Sequence, residues 1–183
     1  MRALLIIDYS IDFVDDQGAL SAGKPAQALE HYLAQTAQEF IDQGDYVVFA
    51  NDKHEENDAY HPETKLFPLH NISGSPGREF YGEVNDVYQE NKGKENVYWT
   101  DKRRYSAFAG TELDIRLRER GITELWITGV VTDICVLHTA VDAYNLNYDI
   151  VIPEAGVASF NEDGHEWALS HFEDTLGAKV IRK

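Results

Sequence analysis

The sequence predicts an α/β fold of three layers, a mostly parallel central sheet of about six strands with helices on both faces. Two observations carry that expectation. Short continuous apolar runs recur along the chain, as strands covered on both faces require, at Ala3-Leu-Leu-Ile-Ile7, Tyr46-Val-Val-Phe-Ala50 and Tyr148-Asp-Ile-Val-Ile152. Segments with helical punctuation alternate with them, which is the pattern of a parallel sheet with crossover helices. A chain of 183 residues suits one domain spanning 1–183 with a full-sized core.

Taken in order, the Ala3–Ile7 strand ends at Asp8, and residues 9–20 read as loop, with Asp12, Asp15, Asp16 and the aromatic Phe13. Residues 25–42 read as the first helix, because Pro25 suits a first helical position and Gly44 a C-terminal cap. The strand Tyr46–Ala50 runs into Asn51-Asp-Lys-His54, and a third strand, Val97–Thr100, runs into Asp101-Lys102. Thr111–Arg120 is a short charged helix closed by Gly121, and Glu124–Thr128 is the fourth strand. Then comes a helix near Ile134–Tyr144, with Thr132 or Asp133 as its N-cap. Ile134, Leu137, Val141 and Tyr144 recur at helical spacing and mark its expected buried face, leaving Cys135, Thr139 and Asp142 on the other side. The strand 148–152, a helix over Asp163–Thr175 and a closing strand at Ala178–Ile181 complete the chain.

Composition narrows the partners. A formal charge of −16 repels phosphate backbones and anionic membranes, so neither nucleic acid nor a membrane is expected. The single cysteine cannot form an intramolecular disulfide, which suits a reducing, cytoplasmic location. The apolar run at the N-terminus is too short for a signal peptide, and no run approaches a membrane span.

Asp8, Asp52, Lys102 and Cys135 each follow an apolar strand. In a parallel sheet the carboxyl ends of the strands share one rim, where open α/β folds bind ligands. Polar residues after strands are ordinary singly; an acid, a lysine and the sole thiol together are not. Two readings of Cys135 stand, a small buried hydrophobe or a nucleophile. Its place in a first helical turn, where the positive end of the helix dipole favours thiolate, supports the second. The segment 53–96 is far longer than an ordinary connection, and such loops are often functional. Its Asp52-x-His54 puts two ligand types on one side of an extended stretch. With Glu63 and His70 in the same loop, the donors suit Zn²⁺, Mn²⁺ or Fe²⁺.

Asp8, the Asp-x-His at 52–54, Lys102 and Gly-Val-Val-Thr-Asp-Ile-Cys-Val at 129–136 resemble the isochorismatase-like cysteine hydrolases over essentially the whole chain. Within that family the metal loop is most similar to that of nicotinamidases. The resemblance implies that Cys135 is a nucleophile, Asp8 a general base and acid, and Lys102 their electrostatic partner. It implies one divalent ion, Zn²⁺ first and Mn²⁺ or Fe²⁺ as alternatives, on Asp52, His54, His70 and Glu63, with His61 as the competitor for Glu63. It further implies a cis peptide at Val130–Val131, an oxyanion hole from the amides of Val131 and Cys135, and a ring-enclosing set of Phe13, Phe67 and Tyr105. Ordinary core packing is the alternative for those three aromatics. The implied substrate is a small aromatic amide, nicotinamide, hydrolysed through a thioester by a homo-oligomeric enzyme.

Overall fold

In the computed structural model, which describes residues 1–182, seven strands form one sheet with every pairing parallel. They are β1 (Arg2–Ile7), β2 (Tyr46–Asp52), β3 (Val97–Lys102), β4 (Glu124–Val130), β5 (Asp149–Pro153), β6 (Val157–Ala158) and β7 (Lys179–Ile181). The order is β3-β2-β1-β4-β5-β7, with β6 paired to β4. The short β6, two residues long, was not expected from sequence; it carries too few residues for any periodic signal.

Strand alternation divides the core in two. Ala3, Leu5, Ile7, Val48 and Ile127 face one layer, with α5 (Leu113–Glu119), α6 (Leu137–Asn145) and α7 (Glu162–Asp174). Leu4, Ile6, Val47 and Phe49 face the other, where α3 (Glu30–Asp42) packs. The three-layer expectation therefore holds. Both closing glycines sit where a positive φ is needed, Gly44 at +78° and Gly121 at +65°.

Several local expectations are corrected. The helix expected over 25–42 is broken into α2 (Lys24–Gln27) and α3, and one turn, α1 (Ile11–Val14), interrupts the loop 9–20. The segment 53–96 is not a loop throughout, since Gly82–Asn91 forms α4. Its apolar stripe is short, Val84, Val87 and Tyr88, and Tyr88 packs on Phe49, Phe80 and Trp99. No helix among the described residues is long and apolar enough to cross a membrane.

The helix after β4 departs most. It opens with a π-helical turn, Thr132–Val136, and neither Thr132 nor Asp133 caps it with a side-chain hydrogen bond. Thr132 Oγ1 instead pairs with His165 Nδ1 at 2.8 Å, and Asp133 accepts from Ser159 Oγ at 2.7 Å. The buried side holds Cys135, Thr139, Ala140 and Ala143, while Tyr144 is half-exposed. The buried side is made of small residues, which carry less hydrophobic signal than Leu137, Val141 and Tyr144, so apolar spacing pointed to the other face, although it correctly grouped Cys135 with Thr139.

Sheet order reverses between β1 and β4, whose carboxyl ends therefore open the crevice where α/β sheets bind ligands. Gly129 lets these strands meet closely: at its φ of +109°, a Cβ would lie 2.0 Å from the Ile7 carbonyl oxygen. Gly129→Ala should lower the unfolding free energy by roughly 2–4 kcal/mol in urea denaturation; an unchanged midpoint would refute this close approach.

Candidate active site

Four strand ends deliver the polar residues. Asp8 follows β1 with φ +56°, and its backbone amide bonds the Ala50 carbonyl at 2.9 Å. Asp52 and Lys102 are register partners at the ends of β2 and β3. Cys135 lies in the π turn after β4.

Lys102 is the hub. Its Nζ stands 2.8 Å from Asp8 Oδ2, 3.6 Å from Asp52 Oδ1 and 3.7 Å from Cys135 Sγ, and donates to the Arg104 carbonyl at 3.1 Å. Asp8 Oδ1 accepts the Asp52 amide at 2.8 Å, which orients the carboxyl and leaves Oδ2 for the lysine side. All three reactive groups are buried. Burial pushes the Asp8 pKa up to about 6, partly offset by Lys102 and reinforced by Asp52. Burial also drives the Cys135 thiol well up, and the negative charges of Asp8 and Asp52 add to it against the pull of Lys102. Desolvation therefore opposes the thiolate that the helix-end position favours. Burial works against the Lys102 charge, but Asp8, Cys135 and Asp52 hold its pKa well above the usual lysine value.

Beside this group, Asp52, His54, Glu63 and His70 converge, each offering a ligand atom within 4.8 Å of the others. Asp52 Oδ2 lies 2.7 Å from His54 Nε2 and 3.4 Å from His70 Nε2, and Glu63 Oε2 lies 4.0 and 3.6 Å from the same two nitrogens. Ligands about 2.0–2.2 Å from a common ion are spaced comparably. His70 Nδ1 bonds the Pro68 carbonyl at 2.7 Å, which turns Nε2 inward, where it is buried without a hydrogen-bond partner. Burial disfavours charge on His70, yet the facing carboxylates of Asp52 and Glu63 push its pKa up to about 10. Two acids facing two imidazoles call for positive charge among them, and a divalent ion meets that demand. The donor set fits such an ion.

His61 is buried next to this set but has both ring nitrogens engaged, one with the Arg103 carbonyl at 2.8 Å and one with the Glu63 amide at 3.2 Å. It braces Glu63.

A narrow cleft leads to the sulfur, with Val131 and Cys135 at its base and Phe13, Phe67 and Tyr105 along its walls. The Val130–Val131 peptide is cis. Leu20, Ile134 and Phe160 complete the walls and were missed by sequence reasoning. Phe160 follows β6, so the rule that found Asp8 and Lys102 extends to it once that short strand is seen. Ile134 packs against both core clusters, as its spacing suggested, and lines the cleft as well.

A profile described as "Isochorismatase domain" matches residues 2–183. The chain belongs to the isochorismatase family. Among family members, the Bacillus subtilis (strain 168) isochorismatase family protein PncA is 54% identical over 98% of both chains. A pyrazinamidase/nicotinamidase structure from Streptococcus mutans UA159 superposes with a TM-score of 0.97 at 54% identity, covering 99% of this chain and 100% of the other. A family structure of Pyrococcus horikoshii pyrazinamidase, in complex with zinc, matches with a TM-score of 0.86 at 26% identity, over 100% and 99% of the two chains.

Adding Zn²⁺ to chelator-treated protein should raise its thermal midpoint, since a ligand at about 100 times its Kd stabilises by ~2.7 kcal/mol. In His54→Ala most of that rise should vanish, with bound metal falling in parallel; equal rises in both proteins would remove His54 from the ligand set.

Proposed function

We propose that this protein is a nicotinamidase, hydrolysing the carboxamide of nicotinamide to nicotinate and ammonia through a cysteine thioester. The observation that carries it is the meeting of Asp8, Lys102 and Cys135, with Cys135 lining an aromatic-walled cleft that also reaches Glu63 of the buried Asp-His-Glu-His group. The relatives named above support the substrate class.

Phe13, Phe67 and Tyr105 would hold the pyridine ring flat between them, excluding water from the reacting carbon. Asp52, His54, Glu63 and His70 would hold a divalent ion, with zinc favoured by the Pyrococcus relative. When bound, it supplies a Lewis-acidic point for a ring nitrogen.

Chemistry follows from the resting protonation states. The proton is on sulfur and the carboxylate is beside it, so Asp8 takes the thiol proton as sulfur attacks the carboxamide carbon. Lys102 stays charged throughout and compensates the negative charge wherever it sits, on Asp8 first and on sulfur next. The amides of Val131 and Cys135 receive the negative oxygen of the tetrahedral intermediate. Asp8 returns its proton to nitrogen, the C–N bond breaks and ammonia leaves. Asp8 then removes a proton from water, the resulting hydroxyl adds to the thioester, and the sulfur departs and regains its proton. The reading also takes the enzyme to be a cytoplasmic homo-oligomer that binds no nucleic acid, in keeping with its charge and lone cysteine.

Cys135→Ala should lower ammonia release from nicotinamide by about a thousandfold or more while keeping metal content and unfolding midpoint; activity within tenfold of the unchanged enzyme would exclude the covalent route. Asp8→Asn should cost a comparable factor in kcat, as a lone acid–base group that serves both half-reactions; a change confined to KM would contradict its role.

A further inference from the structure

We propose that Phe160 sets the size limit of the amide this site accepts, so that the substrates are small aromatic primary amides without bulk on the ring edge facing Phe160. The inference rests on the hydrolase reading above and adds a specificity-determining residue to it.

Two spaces meet at this side chain. The cleft over Cys135 has a volume of about 60 Å³, and a neighbouring groove one of about 470 Å³. That groove is bordered by Pro25, Leu29, Ser159, Glu162 and His165. Among the described residues, Phe160 is the one that lines both spaces. At 62% exposure its ring adds little to the core. Most of the other walls are tied to the core: Val130, Val131 and Cys135 are buried, and Phe13, Tyr105 and Ile134 pack against the core clusters, while Leu20 and Phe67 are half-buried.

The backbone on both sides of Phe160 is fixed to the nucleophile's own turn. Ser159 Oγ donates to Asp133 Oδ1 at 2.7 Å, and the Asn161 amide donates to Ser159 Oγ at 3.1 Å. Asn161 Oδ1 caps α7 by accepting the Gly164 amide at 3.1 Å. Gly164 packs so closely that a Cβ there would lie 2.1 Å from Asp133 Oδ2. Asp133 is two residues from Cys135 in the same π turn. The root of the ring is therefore held relative to the sulfur, and the length of the Phe160 side chain, not loop drift, decides where the cleft ends. Truncating it joins the cleft to the groove without opening the core.

A hydrophobic site that admits or refuses one methylene changes kcat/KM by roughly 10–200-fold. The test measures ammonia release from nicotinamide and from 5- and 6-alkylnicotinamides by the unchanged enzyme, Phe160→Ala and Phe160→Trp. The ratio of kcat/KM for the best alkylated amide over nicotinamide should rise about tenfold or more in Phe160→Ala and fall in Phe160→Trp. Ammonia from nicotinamide with ratios within about twofold across all three proteins would overturn the size limit alone. No ammonia from nicotinamide in the unchanged enzyme would overturn the size limit together with the function beneath it.

Discussion

A lysine ammonium sealed inside the protein is the constraint around which the site is arranged. The Lys102 side chain is 1% exposed, and so is that of its partner Asp8. An isolated buried charge is prohibitive, and a buried pair persists only with good geometry and further polar partners. Lys102 has these in Asp8, Asp52, the Arg104 carbonyl and the Cys135 sulfur. Removing one member of such a pair leaves the other uncompensated, typically at ~3–5 kcal/mol. Stability and reactivity are thus tied to the same atoms. The negative charge that the lysine needs can sit on oxygen or on sulfur, and moving it between them is the first step of the chemistry.

Asp52 links this group to the candidate metal site. One carboxylate oxygen faces Lys102 and the other faces His54 and His70. The acid therefore sees cationic or proton-bearing neighbours on both sides; burial works against its charge, but Lys102, His54 and His70 hold its pKa well below the usual carboxylate range. Sheet topology makes this sharing possible. β2 lies between β3 and β1, so Asp52 is flanked by Lys102 on one side and Asp8 on the other. The reversal at β1 and β4 then brings Cys135 up beside Asp8.

Much of this was legible in the sequence because buried parallel strands announce themselves as apolar runs and their ends share one rim. Asp8, Asp52, Lys102 and Cys135 all came from that rule, and His54, Glu63 and His70 from ligand chemistry in one long segment. What stayed hidden depends on tertiary contact. The face of the helix carrying Cys135 was misread because its buried side is made of small residues, Thr139, Ala140 and Ala143, with little hydrophobic signal, and the helix-end reading of its thiol left burial out. His61 entered only as a competing ligand, and its bonds to the Arg103 carbonyl and the Glu63 amide reveal the brace. The α4 helix carries mostly polar residues and is held by a few aromatic contacts that no local pattern weighs. Phe160 follows a strand too short to see.

The central claim is that carbon passes through a bond to sulfur, and partitioning of the acyl group tests it most directly. With hydroxylamine present, a thioester on Cys135 is shared between water and the added nucleophile, whichever leaving group has already gone. Nicotinamide and methyl nicotinate should then give nicotinohydroxamate and nicotinate in the same ratio at a fixed hydroxylamine concentration. Absence of hydroxamate during turnover of nicotinamide, or a ratio that follows the leaving group, would contradict a common acyl-enzyme.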